Sequence, residues 1–293
     1  MINSPLNYTG NKFKLLNQLI PCLRKTEKFV DVFAGSGLVG LNSNSKNIVL
    51  NDNNDITVDL LNFFKNNEYD FIFKEMDKII KQYGFTDSYR KGLHFYPEEK
   101  HEGLSKFNRT PFNKLKDDYN NKPSTIKLFA LIIYGFNHYI RFNSKGLYNV
   151  PVGKVDYSKS LRKKTIEYCD AFRNKNVNIT KKDFRDDSLY EDKNAMYYFD
   201  PPYLITQAPY NVTWTEKDEI DLINKLDELD KKGYKFALSN VIESNGKTNE
   251  ILKKWSKKYN VIYLNRKYLN SNYRKKNITI AQEVLITNYS EEE

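Results

Sequence analysis

Asp200-Pro201-Pro202-Tyr203 is the segment whose residue types most directly imply chemistry. Two consecutive prolines stiffen a loop and remove two N–H donors. A carboxylate, a rigid carbonyl and an aromatic ring then lie side by side. That set is flat and rich in acceptors, and it suits an exocyclic amine, which offers two N–H donors on a planar ring. The alternative is a proline-terminated strand with a packed tyrosine. Two further polar loops follow short apolar runs. Phe33-Ala34-Gly35-Ser36-Gly37, with Gly40, spells G-x-G-x-x-G, where glycines permit a sharp turn and close backbone approach to a nucleotide. Asp52 closes the next run and can accept hydrogen bonds from a ribose diol. NAD and S-adenosylmethionine both carry ribose, so these two loops do not separate them. A ligand-free turn, and a helix cap or solvated turn residue, are the structural alternatives.

These loops need strands to hold them. Phe29 to Phe33, Ile48 to Leu50 and Met196 to Phe199 read as short buried strands ending at the polar positions. The first 60 residues read as strand, turn, helix, strand, which favours a parallel sheet with helical crossovers. In such sheets ligands bind outside the carboxyl ends of the strands. Helices are expected at Lys14 to Leu23, Phe71 to Tyr83, Ser124 to Asn137, Lys159 to Asn174 and Lys217 to Lys231. Further strands are expected at Phe236 to Leu238, ending at Ser239-Asn240, and at Val261 to Leu264 and Val284 to Thr287. The stretch from Asn62 to Pro123 is charged and aromatic, with a polar section from His94 to Arg109. Arg141 to Pro151 reads as a hairpin with an Asn-Ser-Lys-Gly turn signal.

Composition narrows the classes. The 293 residues are 40% hydrophobic, enough for a core in one or two domains. No apolar run is long enough to span a membrane, and the N-terminus reads as lacking a secretory signal, so a cytoplasmic location is expected. Cys22 and Cys169 are far apart, and no Cys/His cluster is spaced for zinc, so no metal is expected. Lys+Arg 47 against Asp+Glu 37 gives +10, which points to a polyanionic partner. Between Ile251 and Gln282 there are nine Lys/Arg and no Asp or Glu.

Taken together the motifs resemble those of Dam-type (α-class) DNA adenine-N6 methyltransferases, over nearly the whole chain. Asn7-Tyr8-Thr9-Gly10-Asn11-Lys12 resembles the family's aromatic-x-Gly-x-Lys opening, and Asp31 to Gly37 its F-x-G-x-G motif. Asn51-Asp52 matches its acidic strand end, and Asp200 to Tyr203 is the complete DPPY. Asn137 to Gly153 is similar to the family's DNA-contacting hairpin. It departs at His138, where the family has Gly, and at Leu147, where it usually has Glu.

The resemblance implies an α/β, Rossmann-like S-adenosylmethionine-dependent methyltransferase fold. Residues 1–61 and 152–293 would form the catalytic domain. Residues 62–151 would form an inserted, mainly helical target-recognition domain carrying a β-hairpin. S-adenosylmethionine would be held by Tyr8, Lys12, Asp31, Phe33, Ala34, Gly35, Ser36, Gly37, Asp52, Asp183, Phe184 and Asp200. Double-stranded DNA would meet Phe136, Asn137, Tyr139, Arg141, Asn143, Lys145, Asn149, Pro151 and the basic Arg274-Lys275-Lys276. Asp200 and the Pro201 carbonyl would accept the two N–H bonds of a flipped adenine, with Pro202 stiffening the loop and Tyr203 stacking on the base. The protein is expected to act as a monomer. GATC is the first expectation for the target. Cytosine N4, an RNA or protein amine, and a catalytically inactive DNA-binding relative remain alternatives.

Overall fold

The computed structural model describes residues 1–6, 8, 10–97, 102–206, 214–264 and 281–290. Among them the strands are β1 (Lys28–Asp31), β2 (Asn47–Asn51), β3 (Asn176–Thr180), β4 (Met196–Phe199), β5 (Lys235–Ser244), β6 (Lys247–Thr248), β7 (Asn260–Leu264) and β8 (Ala281–Thr287). The α-helices are α1 (Leu16–Leu19), α2 (Leu38–Asn42), α3 (Asp55–Asn66), α4 (Tyr69–Tyr83), α5 (Ser88–Lys91), α6 (Ser105–Asn121), α7 (Thr125–Tyr134), α8 (Lys159–Arg173), α9 (Glu216–Lys231) and α10 (Glu250–Trp255). The chain divides into two units. One comprises Met1, Lys12–Val58 and Lys175–Glu293; the other comprises Ile2–Asn11 and Asp59–Asn174.

The first unit is one mixed sheet in the order β3-β2-β1-β4-β5-β8-β7, with β6 on β5. Strands β3, β2, β1, β4 and β5 are parallel, while β8 runs antiparallel to both β5 and β7. This is the expected Rossmann-like α/β architecture. Parallel strands covered by helices read as continuous apolar runs, which is why Met196–Phe199 is buried at every position. Leu222, Leu226 and Leu229 of α9 and Leu252 and Trp255 of α10 pack with Phe199, Phe236, Leu238 and Ile286 of the sheet. Burying each such side chain contributes about 1.5–3 kcal/mol. Helix α9 starts at a capping box: the Asp218 N–H donates to Thr215 Oγ1 and the Thr215 N–H to Asp218 Oδ2.

The second unit is mainly helical. Helix α7 is buried from Leu128 to Tyr134. Phe64, Phe129 and Tyr168 form edge-to-face pairs within this unit, which draws α8 into it. Residues 152–174 therefore pack with this unit, whereas the sequence motifs placed residues from 152 onward in the catalytic domain.

Other elements also differ from expectation. The segment expected as one helix from Lys14 to Leu23 is α1 between two 3₁₀ turns, the second of them containing Pro21. The section read as polar, His94 to Arg109, runs into the 17-residue α6, with Pro111 inside it. Its buried stripe, Ser105, Asn108, Pro111, Phe112, Leu115 and Tyr119, begins with two polar residues and a proline, so its first half carries little apolar periodicity. Helix α7 stops at Gly135, where the backbone turns extended; a Cβ there would come within 2.5 Å of the Leu131 carbonyl oxygen. Strand β5 does not end at Ser239-Asn240 but continues to Ser244, because β8 pairs alongside it over that length.

Candidate active site

The three polar loops all lie at carboxyl ends of strands in the first unit. Strand β1 stands between β2 and β4, so the chain leaves β1 toward one side of the sheet and later returns on the other. That is the topological switch point at which open α/β sheets bind ligands. Buried Asn51 joins three strand ends. Its Nδ2 donates to the Val32 carbonyl at 2.9 Å and the Lys182 carbonyl at 3.0 Å, and its Oδ1 accepts from Thr180 Oγ1 at 2.8 Å.

The turn after β1 is Phe33 to Gly37, with Ala34 and Ser36 buried within it. Gly35 has φ of 50° and Gly37 of 65°, a region L-residues avoid and glycine enters freely. Asp52 fixes this turn: its Oδ2 accepts the Gly35 N–H at 2.9 Å and its Oδ1 the Asn54 N–H at 3.0 Å. Capping of α3 falls to Asn54, whose Oδ1 accepts from the Ile56 and Thr57 N–H groups. Burial raises the Asp52 carboxyl above its usual range. Phe33 leans on Phe184 at 5.5 Å between ring centroids and meets Trp214 edge-on at 5.8 Å. Asp183 is exposed and ion-paired with Arg185.

Asp31 ends β1 and is 1% exposed. Its Oδ2 accepts the Gly40 N–H at 3.2 Å, while Oδ1 is buried with no hydrogen-bond partner. Burial, with Asp200 and Asp52 nearby, pushes its carboxyl up to about 8; the Gly40 N–H and Lys12 pull the other way. An unfolded aspartate titrates near 3.9. Between about pH 4 and pH 8 the folded chain thus holds a proton that the unfolded chain has released. The stability this contributes is complete below pH 4 and is lost as pH rises to 8. Asp31→Asn keeps an oxygen for Gly40 and removes the titration. Its Tm minus that of the wild type should rise by several degrees from pH 4 to pH 8 in thermal unfolding. An offset that does not change with pH would contradict a proton held on Asp31.

Asp200 follows β4 at the end of the sheet. Lys12 Nζ donates to Asp200 Oδ1 at 2.7 Å, to Asp200 Oδ2 at 2.6 Å and to the Tyr203 hydroxyl at 2.6 Å. The Tyr203 hydroxyl lies 2.9 Å from Asp200 Oδ1 and 3.2 Å from Glu283 Oε1. Glu283 is fully buried on β8, with Oε1 at 3.4 Å from Lys12 Nζ. Burial raises the Asp200 carboxyl and Glu283 adds to the rise, against the opposing pull of Lys12 and the Tyr203 hydroxyl. Pro201 is buried and Pro202 half-buried. Sequence reasoning missed Glu283, whose only signal is one carboxylate at the start of the apolar run Val284 to Ile286. It also missed Trp214 and Glu219. Glu219 is fully buried, and its carboxylate accepts from Trp214 Nε1 at 2.8 Å, Asn249 Nδ2 at 2.7 Å and Asn240 Nδ2 at 3.2 Å, holding the indole beside Phe33.

In the second unit, the expected hairpin is a loop closed by two isolated bridges, Gly135 with Val152 and Phe142 with Tyr148. Buried Tyr148 anchors it, its hydroxyl 3.2 Å from the Leu131 carbonyl oxygen and 3.1 Å from that of Tyr139, with its one O–H shared between them. Phe136, Asn137, Arg141, Asn143, Lys145, Leu147, Asn149 and Pro151 are exposed, and Tyr139 is half-buried. Arg141 is held in place: Nε donates to Asn149 Oδ1 at 2.8 Å and Nη2 to the Asn149 carbonyl at 2.9 Å. Asn137 and His138 sit in the left-handed region, with φ of 51° and 55°. The structure thus brings Lys12, Asp31, the glycine turn, Asp52 and Asp200 to one edge of one sheet. Tyr8 falls in the other unit. Arg274, Lys275 and Lys276 lie outside the described residues.

A family model, D12 class N6 adenine-specific DNA methyltransferase, matches residues 8–270. The chain belongs to this family. It is 38% identical to the type II methyltransferase M.FokI of Planomicrobium okeanokoites over 301 residues, covering 99% of the chain and 43% of that protein. It is 34% identical to the modification methylase StsI of Streptococcus sanguinis, covering 98% of the chain and 43% of that protein. It is 26% identical to the DNA adenine methylase of Escherichia coli (strain K12), covering 71% and 67%. The chain thus spans less than half the length of the first two relatives. The E. coli protein is named for adenine, the class of amine expected of an Asp-Pro-Pro-Tyr loop.

Proposed function

We propose that this chain transfers a methyl group from S-adenosylmethionine to N6 of adenine in duplex DNA. The observation that carries the reading is the Asp200 loop on β4, next in the sheet to the glycine turn of β1. The residues fit the cofactor. Asp31 Oδ1 is a buried acceptor with no partner, and two glycines hold a positive-φ turn beside it. Bound there, S-adenosylmethionine would supply an electrophilic methyl group on a sulfonium.

Phe33, Ala34, Gly35, Ser36 and Gly37 would hold its methionine part, with Asp31 facing the ammonium. Asp52 would take the ribose, and Asp183 with Phe184 the adenine; Tyr8 and Lys12 would complete the lining. Asp200 and the Pro201 carbonyl accept the two N–H bonds of the target amine, localising its lone pair toward the methyl. Prolines at 201 and 202 keep that carbonyl rigid, and Tyr203, buried with the Lys12 ammonium 5.1 Å from its ring centroid, would stack on the base. Positioning and electrostatics then supply the rate. Duplex DNA would be met by the exposed loop of Phe136, Asn137, Tyr139, Arg141, Asn143, Lys145, Asn149 and Pro151, with the guanidinium of Arg141 reading a base. Arg274-Lys275-Lys276 would add phosphate contacts. The same reading makes the protein cytoplasmic and monomeric.

The test uses labelled S-adenosylmethionine and two duplexes that differ only in GATC, the target proposed first, followed by digestion to nucleosides. N6-methyladenine on the GATC duplex alone is the expected result. N6-methyladenine on genomic DNA but not on GATC would keep the chemistry and move the target, with Leu147 as the first residue to examine. Label on cytosine N4, RNA or protein would overturn the acceptor. Cofactor binding without turnover would mark an inactive relative.

A further inference from the structure

Both oxygens of Asp200 lie within 2.7 Å of Lys12 Nζ. An ammonium so placed draws off the negative charge that an adenine amine must find on the same carboxylate. We propose that Glu283 is a positioning residue for Asp200: it shares the Lys12 ammonium and anchors the Tyr203 hydroxyl, leaving Asp200 free to accept the amine. The inference rests on the reading of Asp200 as the acceptor loop.

Three distances carry it. Glu283 Oε1 is 3.4 Å from Lys12 Nζ and 3.2 Å from the Tyr203 hydroxyl, and that hydroxyl is 2.9 Å from Asp200 Oδ1. Lys12 and Glu283 are 3% and 0% exposed, so water screens these charges little. With both carboxylates ionised, a single cation leaves the trio with net charge minus one. With Lys12 and Asp200 alone the charge would be zero, and the carboxylate a weaker acceptor. Two other groups act on Asp200: Asp31 at the end of β1, and Tyr198 on β4, whose hydroxyl donates to Ser239. Glu283 also acts on Tyr198, but burial alone already keeps that hydroxyl neutral, so the charge removed at 283 is felt chiefly at Asp200. Glu283 raises the Asp200 carboxyl, so its removal lowers it.

Glu283→Gln keeps the volume and an acceptor for Tyr203 while deleting the charge. The kcat should fall about 10- to 100-fold, with KM for DNA and for S-adenosylmethionine within about threefold. The acid limb of kcat, which reports ionised Asp200, should move to lower pH. The second measurement needs neither DNA nor cofactor. In protein labelled with carboxyl-¹³C aspartate, the Asp200 signal is assigned by its loss in Asp200→Asn, and its titration midpoint should fall in Glu283→Gln. An unmoved midpoint, or unchanged kcat, overturns the proposal. Should Glu283→Gln fold poorly, Glu283→Asp retains the charge and must retain the acid limb; a displaced limb there also overturns it. Wild-type protein that puts no methyl on adenine would refute the proposed reaction. The titration decides the role of Glu283 independently.

Discussion

Asp200→Asn should lower methyl transfer to adenine by about a hundred- to a thousandfold, the range seen when one preorganised group at a reacting centre is lost. Asparagine keeps the shape and one acceptor oxygen. It replaces the other oxygen with an NH₂ that points donors at groups that are themselves donors: Lys12 Nζ, and the amine to be methylated. Binding of S-adenosylmethionine should stay within about threefold, because the glycine turn and Asp52 are held by backbone bonds that do not involve Asp200. Single-turnover transfer and equilibrium dialysis of labelled cofactor measure the two quantities. Transfer within tenfold of wild type would remove Asp200 from the reaction. Parallel loss of cofactor binding would instead make Asp200 part of the cofactor's own site.

The legibility of this site follows from which contacts are local. Buried parallel strands are largely apolar, so Ile48 to Leu50 and Met196 to Phe199 announce their ends at the first polar residue, and Phe29 to Phe33, interrupted only by the buried Asp31, announces its end at the glycine turn. The functional loops begin at those ends, and the turn, Asp52 and Asp200 could be read from the sequence for that reason. Glu283 could not. Its neighbours are Lys12 and Tyr203, residues far away in the chain, and only the antiparallel insertion of β8 beside β5 places it there. The same topology hides the length of β5: Asn240 looks like a strand end, but its amide is spent on the buried Glu219. Helix α6 was illegible for a different cause. Its inward face carries Ser105 and Asn108, and Asn108 is satisfied by Thr86, a partner in a separate segment.

Lys12→Met should cost about 3–5 kcal/mol, the usual effect of removing one partner from a buried ion pair. Both Asp200 and Glu283 lose their shared cation, and Asp200 remains in an environment whose burial already raises its carboxyl. For a chain of this length the loss corresponds to roughly 5–8 °C in Tm. Its pH dependence separates charge from packing. Without the cation, burial holds the folded Asp200 carboxyl further above the unfolded range, so the variant's stability is complete at low pH and falls as pH rises through that raised value. The wild type, whose ammonium favours the ionised carboxylates, falls less. The difference in Tm between the two should therefore be small near pH 4 and widen toward neutrality, as thermal unfolding at a series of pH values would show. A loss that is equally large at every pH would mean that the aliphatic stem of Lys12, and not its charge, is what the site requires.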